Sequence, residues 1–500
     1  RPQASGPGGG QMTNGAELGF LLDPTLEALW AALVSRLDVH LFIEGIFVVV
    51  ICYLLFQKSY KPNRKGDGLT EKEVDMLCEE WQPEPLVAGM QGSTMVPRKE
   101  RVVSAQGGSS IVIDGVKLVN FSCLDFLNFL GDESVLDACE KAIRKYGVGA
   151  CGPRGFYGTI DVHLELEEKL AQFMGTEAGI IYSYDIATVS SVIPAFLKRG
   201  DLVICDEASS WAIQNGLDLA RCYTKEFKHN DVCDLERILK LVAESEATKP
   251  NKALNRRFIM VEGLYLATGQ IAPMPQIVEL ANTYKFRVLV EETASFGSLG
   301  PTGKGVMEHY GMKSTDVSII CASMSGTLAT VGGFCVSDAA IASHQRLSSA
   351  SYCFSAALPP FNATAALEAI RIMEEQPGRV QRLGENARYM HKALSETVSS
   401  VEGSEGEGMV LVGDERSPLK HLYLKKGTDD RVRDDATLQQ ICTLLSTDDL
   451  SAVAVTDSSP LQKRAPKPSI RVTVSSGHTT DQIQGFADGL KKAAASVLGG

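Results

Sequence analysis

The 500-residue chain lacks any C-x-x-C pair: its twelve cysteines are strung singly from Cys52 to Cys442. Zinc-ribbon and thioredoxin-like sites therefore have nothing to stand on. A chain this long does not depend on a disulfide framework, so reduced thiols in a cytosol-facing body are expected. Basic charge is also short. With 49 Lys+Arg against 61 Asp+Glu the formal net charge is −12, which argues against broad nucleic-acid binding because no cationic excess exists to neutralise phosphates. Disorder is excluded by 44% hydrophobic and 22% charged residues, a globular composition. No tandem repeat is visible, which excludes a solenoid, and no cluster has metal-ligand spacing; His163 in DVHLELEEKL stands alone.

Long apolar runs are scarce, and the one present stands near the start. LFIEGIFVVVICYLLF, residues 41–56, carries Glu44 as its only charge, and residues 39–57 read as a transmembrane helix near the lower length limit. Lys58, Lys61, Arg64 and Lys65 follow it while Arg36 precedes it. The positive-inside rule then puts the N-terminus in the lumen and the main body in the cytosol. Leu26, Leu29, Trp30, Leu33 and Leu37 fall at helical spacing, so residues 12–38 read as a lumenal amphipathic segment able to meet membrane lipids, or nearly as well as a helix packing on a partner. RPQASGPGGGQ, residues 1–11, reads as an expression scar. Residues 58–100 are polar and Pro-punctuated, a cytosolic linker with one helix near Glu71–Glu80.

Beyond the linker, short apolar runs alternate with helical patterns. The runs are Gly179–Tyr182, Leu202–Cys205, Phe258–Glu262, Val288–Glu291, Val317–Cys321 and Gly333–Val336; helical stretches at 162–174, 232–246 and 275–284 lie between them. This alternation predicts an α/β fold with a mainly parallel sheet covered on both faces, a large domain over residues 101–354. From 355 to 500 the pattern changes to long helices at 362–376 and 379–401 followed by short strands, a smaller α+β domain. The acidic, Gly-rich stretch 402–417 is expected to be a surface loop.

Three stretches place small residues and polar side chains beside predicted strands: YGVGACGPRGFYGT (146–159), the acidic pair Glu291–Glu292, and SMSGTLATVGG (323–333). In open α/β sheets ligands collect at the carboxyl ends of strands. Together with GACGPRGFYGTIDVHLELE (149–167), FKHND (227–231), EGLYLATGQIAP (262–273), FSAALPP (354–360) and SIRVTVSSGHT (469–479), these stretches make residues 100–490 resemble the α-oxoamine synthases. Those are fold-type I pyridoxal-phosphate (PLP) enzymes that condense an amino acid with an acyl-CoA. The resemblance implies an aminotransferase-like large domain and a PLP-dependent transferase.

The same resemblance exposes gaps. PLP chemistry needs a lysine amine; in the family it lies shortly before a Gly-Gly, and Gly326 takes that place here. No lysine occurs between Lys313 and Lys392. The family's Asp for the pyridinium nitrogen corresponds to Glu291, the His of the same motif to Ala294, the ring-stacking His to Ser210 and a hydroxyl to Leu266. The resemblance thus implies a chain that is inactive alone and holds no PLP covalently, paired with a PLP-bearing catalytic paralogue across an interfacial active site. Recruiting Lys304 or Lys313 instead is disfavoured, since neither sits at a strand end.

Candidate contributions to the partner's site are Cys151, Gly152, Arg154, Gly155, Phe156, Tyr157 and Ser355: glycines for backbone shape, Arg154 for anions, the aromatics for packing. Arg471 matches a family arginine for a substrate carboxylate and is equally readable as half of a structural ion pair. The resemblance further implies that the paired assembly joins L-serine to palmitoyl-CoA, giving 3-ketosphinganine in sphingolipid synthesis. This chain would anchor it at the endoplasmic reticulum, with small activating membrane subunits and ORM-type regulators nearby. The alternative is a membrane scaffold or lipid-sensing regulatory subunit that contributes nothing to the active site.

Overall fold

The computed structural model of the chain describes residue 28 and residues 39–56, 70–82, 101–248, 255–401, 408–428, 431–448, 451–456 and 466–498. Two compact units divide it, residues 1–90 and 91–500. The expected scar at 1–11 and the amphipathic segment at 12–38 lie outside the described residues, Ala28 excepted.

In the first unit the apolar run forms the helix Val39–Phe56, whose residues 43–56 are all exposed. Its eighteen residues rise about 27 Å at about 1.5 Å each, short of the roughly 30 Å hydrocarbon core. Among the described residues no helix is long and apolar enough to cross a membrane, so the spanning helix expected at 39–57 is not seen. A second helix, Glu71–Glu80, forms where the sequence predicts one. Thr70 accepts from the Glu73 amide while the Glu73 carboxylate accepts from the Thr70 amide at 2.7 Å, a reciprocal cap that satisfies donors left over at the helix start.

The second unit is built on a seven-stranded sheet. Its spatial order is Ala178–Tyr182, Gly333–Ser337, Ile319–Ser323, Arg287–Glu291, Arg257–Glu262, Leu202–Asp206 and Tyr223–Phe227. The last five pair in parallel, and Gly333–Ser337 runs antiparallel to both of its neighbours. Strands such as Leu202–Asp206 and Ile319–Ser323 are buried throughout, as both-face coverage requires. Helices Asp161–Met174, Val232–Ala247, Met274–Tyr284 and Pro360–Glu375 pack one face; Asp185–Phe196 and Trp211–Ala220 pack the other. Tyr223–Phe227 exposes four of its five residues. It is a polar edge strand, the kind that resists edge-to-edge pairing, and no apolar run announces it.

A smaller antiparallel sheet joins Met409–Val412, Leu419–Leu424, Ile470–Thr473 and Ala454–Val455. Helices Gly378–Ser400, Arg431–Thr447 and Thr480–Leu498 complete its core. Met409–Val412 falls inside the stretch expected to be a loop: its apolar residues pair with Leu419–Leu424, a tertiary partner that a local reading of Gly and Glu content does not register. The apolar core also does not divide at residue 355. Leu358 to Leu383 pack with the large core, whereas Phe121 lies in the small one. Val116–Asn120 forms a hairpin with Ser110–Ile113 and pairs in parallel with Ser451–Ala452, which ties that hairpin to the small lobe.

Candidate functional site

Four adjacent parallel strands deliver the polar cluster. Leu202–Asp206 leads into Ser209 and Ser210, Arg257–Glu262 ends on Glu262, Arg287–Glu291 ends on Glu291, and Ile319–Ser323 leads to Gly326. Register sets Glu262 beside Glu291, and Glu291 beside Cys321, so carboxyl ends converge where an open sheet collects ligands.

At this floor the side chains satisfy one another. Ser210 caps the helix Trp211–Ala220; its hydroxyl donates to Glu291 Oε2 at 2.7 Å, and its amide donates to Glu262 Oε1 at 2.6 Å. Glu262 Oε2 accepts from the Leu266 amide at 3.1 Å. Glu291 Oε1 accepts from the Thr293 hydroxyl at 2.7 Å, and Thr293 in turn accepts from the Ser323 amide at 3.2 Å. Both carboxyl groups are buried. Burial, reinforced by the neighbouring Glu291 charge, pushes Glu262 well above the usual carboxylate range. Burial raises Glu291 as well, so the pair favours holding a proton. Burial lifts Glu292 to about 7 while it accepts from the Val306 amide at 2.9 Å. Asp206 adds a further carboxylate, accepting from His229 at 2.9 Å, and the other His229 nitrogen meets Thr268 at 3.0 Å. Within FKHND, residues 227–231, the strand-end position of Asp206 is the signal that locates His229.

Of the degenerate positions, Ser210 and Leu266 line one cleft, Glu291 is bonded to Ser210, and Ala294 is buried in the large core. Gly326 has room for a side chain to begin, its nearest neighbour being the Leu124 carbonyl at 3.4 Å from an added Cβ. Among the described residues no lysine bonds Glu262 or Glu291. The Lys304 ammonium lies 5.6 Å over the Phe173 ring, and Lys420 Nζ donates to the carbonyls of Asp414, Glu415 and Ser417. Among the described residues this floor does not fit a covalently held pyridoxal group: Gly326 offers no amine, and Glu291 is engaged by Ser210 and Thr293.

The glycine loop is a second, separate feature. An added Cβ on Gly158 would stand 1.9 Å from the Gly152 carbonyl oxygen, and one on Gly152 would stand 2.9 Å from that of Phe156. These two glycines allow the backbone to close on itself, whereas Gly155 faces open space. Cys151 and Tyr157 hold positive φ, 55° and 62°, a strained setting for residues with a side chain.

Arg154 does not face out as an anion binder. It is buried, bridges Glu167 at 2.9 Å and stands over the Tyr352 ring. Glu167 also bridges Arg346 at 3.2 Å. Desolvation explains the direction: a guanidinium placed inward beside a buried carboxylate is held by that pair. Phe156, Tyr157 and Phe354 point outward, 70%, 104% and 85% exposed, and the helix Ala350–Phe354 packs on the 154–158 turn. The Ala357 amide donates to the Gly152 carbonyl at 2.8 Å, which ties the FSAALPP segment to the loop. Ser355 donates to Ser351 within its own chain. His163 pins the same segment through the Leu358 carbonyl at 2.7 Å, a structural role.

Among the described residues Arg471 forms no ion pair, and its guanidinium reaches only the Ser122 carbonyl, at 3.5 Å; it lines the cleft between the lobes. Among the described residues no group of His, Cys, Asp and Glu is arranged to hold a metal ion.

Residues 116–490 match the family described as aminotransferase class I and II. Among curated proteins, the chain is 43% identical to long chain base biosynthesis protein 1b of Oryza sativa, over 93% of each. It is 38% identical to serine palmitoyltransferase 1 of Dictyostelium discoideum, over 93% of this chain and 96% of that one. Among solved structures, a serine palmitoyltransferase from S. paucimobilis with bound PLP-myriocin aldimine superposes with a TM-score of 0.70 at 26% identity, covering 80% of this chain and 93% of that one.

Proposed function

Because the chain belongs to the class I and II aminotransferase family, among the long-chain base biosynthesis 1 and serine palmitoyltransferase 1 proteins, we propose that it is the non-catalytic subunit of a serine palmitoyltransferase. The assembly would condense L-serine with palmitoyl-CoA to 3-ketosphinganine. PLP and turnover belong in this reading to a lysine-bearing paralogue. The observation that carries it is the floor itself: where the fold brings strand ends together there is Gly326 and no amine, and the carboxylates are already engaged.

This chain's contribution is the surface around the glycine loop. Phe156, Tyr157 and Phe354 are exposed on neighbouring elements; burying such side chains against a partner is worth about 1.5–3 kcal/mol each. The loop then completes the partner's active site by shape and apolar contact, with Arg154 holding the loop from inside. The exposed apolar helix Val39–Phe56 supports membrane attachment, at the endoplasmic reticulum with the second unit on the cytosolic side. Small activating subunits and ORM-type regulators would gather there.

Expression of the chain alone, of a lysine-bearing paralogue alone, and of both together tests the reading through acyl transfer and visible cofactor absorbance. Activity and borohydride-sensitive absorbance are expected only where the paralogue is present, and full activity only with both. Borohydride-sensitive absorbance from the lone chain would overturn the proposal.

A further inference from the structure

The cleft over the degenerate floor has a volume of about 1420 Å³, above the roughly 300–1,000 Å³ of typical ligand pockets. Loss of the cofactor groups has therefore not filled it. Its walls carry an apolar strip, with Trp211 and Leu266 from the large lobe and Val410, Val412 and Val455 from the small one. Charge in the lining runs against that of the chain. Lys425, Lys426, Arg431, Lys467 and Arg471 line it, opposed by Glu207 and Asp434, in a protein of net charge −12.

Both acids are occupied locally. Glu207 accepts from the His229 amide at 3.2 Å, and Asp434 accepts from the Thr428 amide and hydroxyl at 3.0 and 2.8 Å. Arg471 is the telling cation. It is half-buried, and among the described residues no carboxylate bridges it and its one hydrogen bond is the 3.5 Å contact to Ser122. A guanidinium withdrawn from water without a counter-ion is costly, and an anion in the cleft would relieve that cost with charge-assisted hydrogen bonds.

We infer that the cleft is a non-covalent binding site for an anionic amphiphile, a single apolar chain ending in a carboxylate or phosphate. The chain lies between Trp211 and the valines of the small-lobe sheet, and the head group meets Arg471 and the lysines of the lining. Both lobes supply walls, so occupancy favours one relative placement of the two. The inference rests on the proposed function in one respect, that the cleft carries no PLP.

Trp211 supplies the readout. The fluorescence of the full chain, to which Trp30 and Trp81 also contribute, is followed with and without Trp211→Phe during titration with 12-bromododecanoate, neutral 12-bromododecanol, inorganic phosphate, and vesicles of brominated phosphatidylglycerol. The carboxylate is expected to quench saturably, at concentrations at least about tenfold below the alcohol, and inorganic phosphate to compete only weakly. Quenching by vesicles that Trp211→Phe removes assigns a bilayer source of the same chemistry; such quenching by the soluble carboxylate alone assigns a free acyl anion. Trp211→Phe should abolish the saturable quenching by the carboxylate. Arg471→Gln and Lys467→Glu should each raise the carboxylate Kd about tenfold and leave the alcohol unaffected. Lys467→Glu stands as the rim variant should Arg471→Gln fail to fold. Equal quenching by acid and alcohol, no saturable quenching, or phosphate binding as tightly as the amphiphile would each overturn the inference. Because quenching is read without cofactor, its failure is distinct from borohydride-sensitive absorbance in the lone chain, which would overturn the functional reading instead.

Discussion

The strand-end floor and the glycine loop, both expected to bear on one active site, have opposite constructions. At the floor polar groups face inward and satisfy one another, with Ser210 and Thr293 closing on Glu291. In the loop the charged residue is drawn inside and the aromatics are left outside, Arg154 bridged to Glu167 while Tyr157 is fully exposed. Residue type alone suggests the reverse, an arginine reaching out for anions and aromatics packed within. Burial and partners decide a side chain's role here.

Variants sharpen this contrast, beginning with the largest effect. Arg154→Ala leaves buried Glu167 with only the half-exposed Arg346 as counter-ion, and should cost about 3–5 kcal/mol in urea unfolding. A loss under about 1 kcal/mol would return Arg154 to the surface role.

His421 joins the small lobe to the floor, meeting the Leu266 carbonyl at 3.0 Å, and burial holds it down to about 4. An unfolded histidine titrates near about 6.5, so between those values the unfolded chain takes up a proton that the folded chain refuses. Stability should therefore fall as pH drops from about 6.5 toward 4, by up to about 3 kcal/mol. His421→Gln should lose that contribution to the acid dependence; an unchanged slope across the window would count against it.

Ser210→Ala removes a donor from buried Glu291 and should cost about 1–3 kcal/mol, read from the same unfolding curves. Tyr157→Ala should change stability by no more than about 0.5 kcal/mol, yet reduce co-purification of a lysine-bearing paralogue or its activity. If activity collapses while binding survives, the loop helps to build the partner's site. If binding alone is lost, packing is its whole role.

Much of the large domain is legible from the sequence. The buried strands announce themselves as β-branched runs, and Arg257–Glu262 and Arg287–Glu291 fall within a residue of expectation. Their legibility follows from burial on both faces, which demands continuous apolar sequence. Tyr223–Phe227 and Met409–Val412 escape notice because an edge strand and a strand beside a Gly-rich stretch are specified by their neighbours. The floor is half legible: the missing lysine is a fact of sequence, while the engagement of Glu291 and the link from Asp206 to His229 are products of register. The basic lining of the cleft, drawn from residues 425–471 and facing Trp211, lies too far apart in the chain for any local pattern to join.

What the sequence determined by itself is composition and periodicity: which segments bury, which carry no amine, and where four strands end. What only the tertiary structure decided is direction, Arg154 turned in, Tyr157 turned out and Arg471 left facing an open cleft. The physical reason is that desolvation and hydrogen bonding act on the partners a residue meets in space, and those partners come from elements that are distant along the chain.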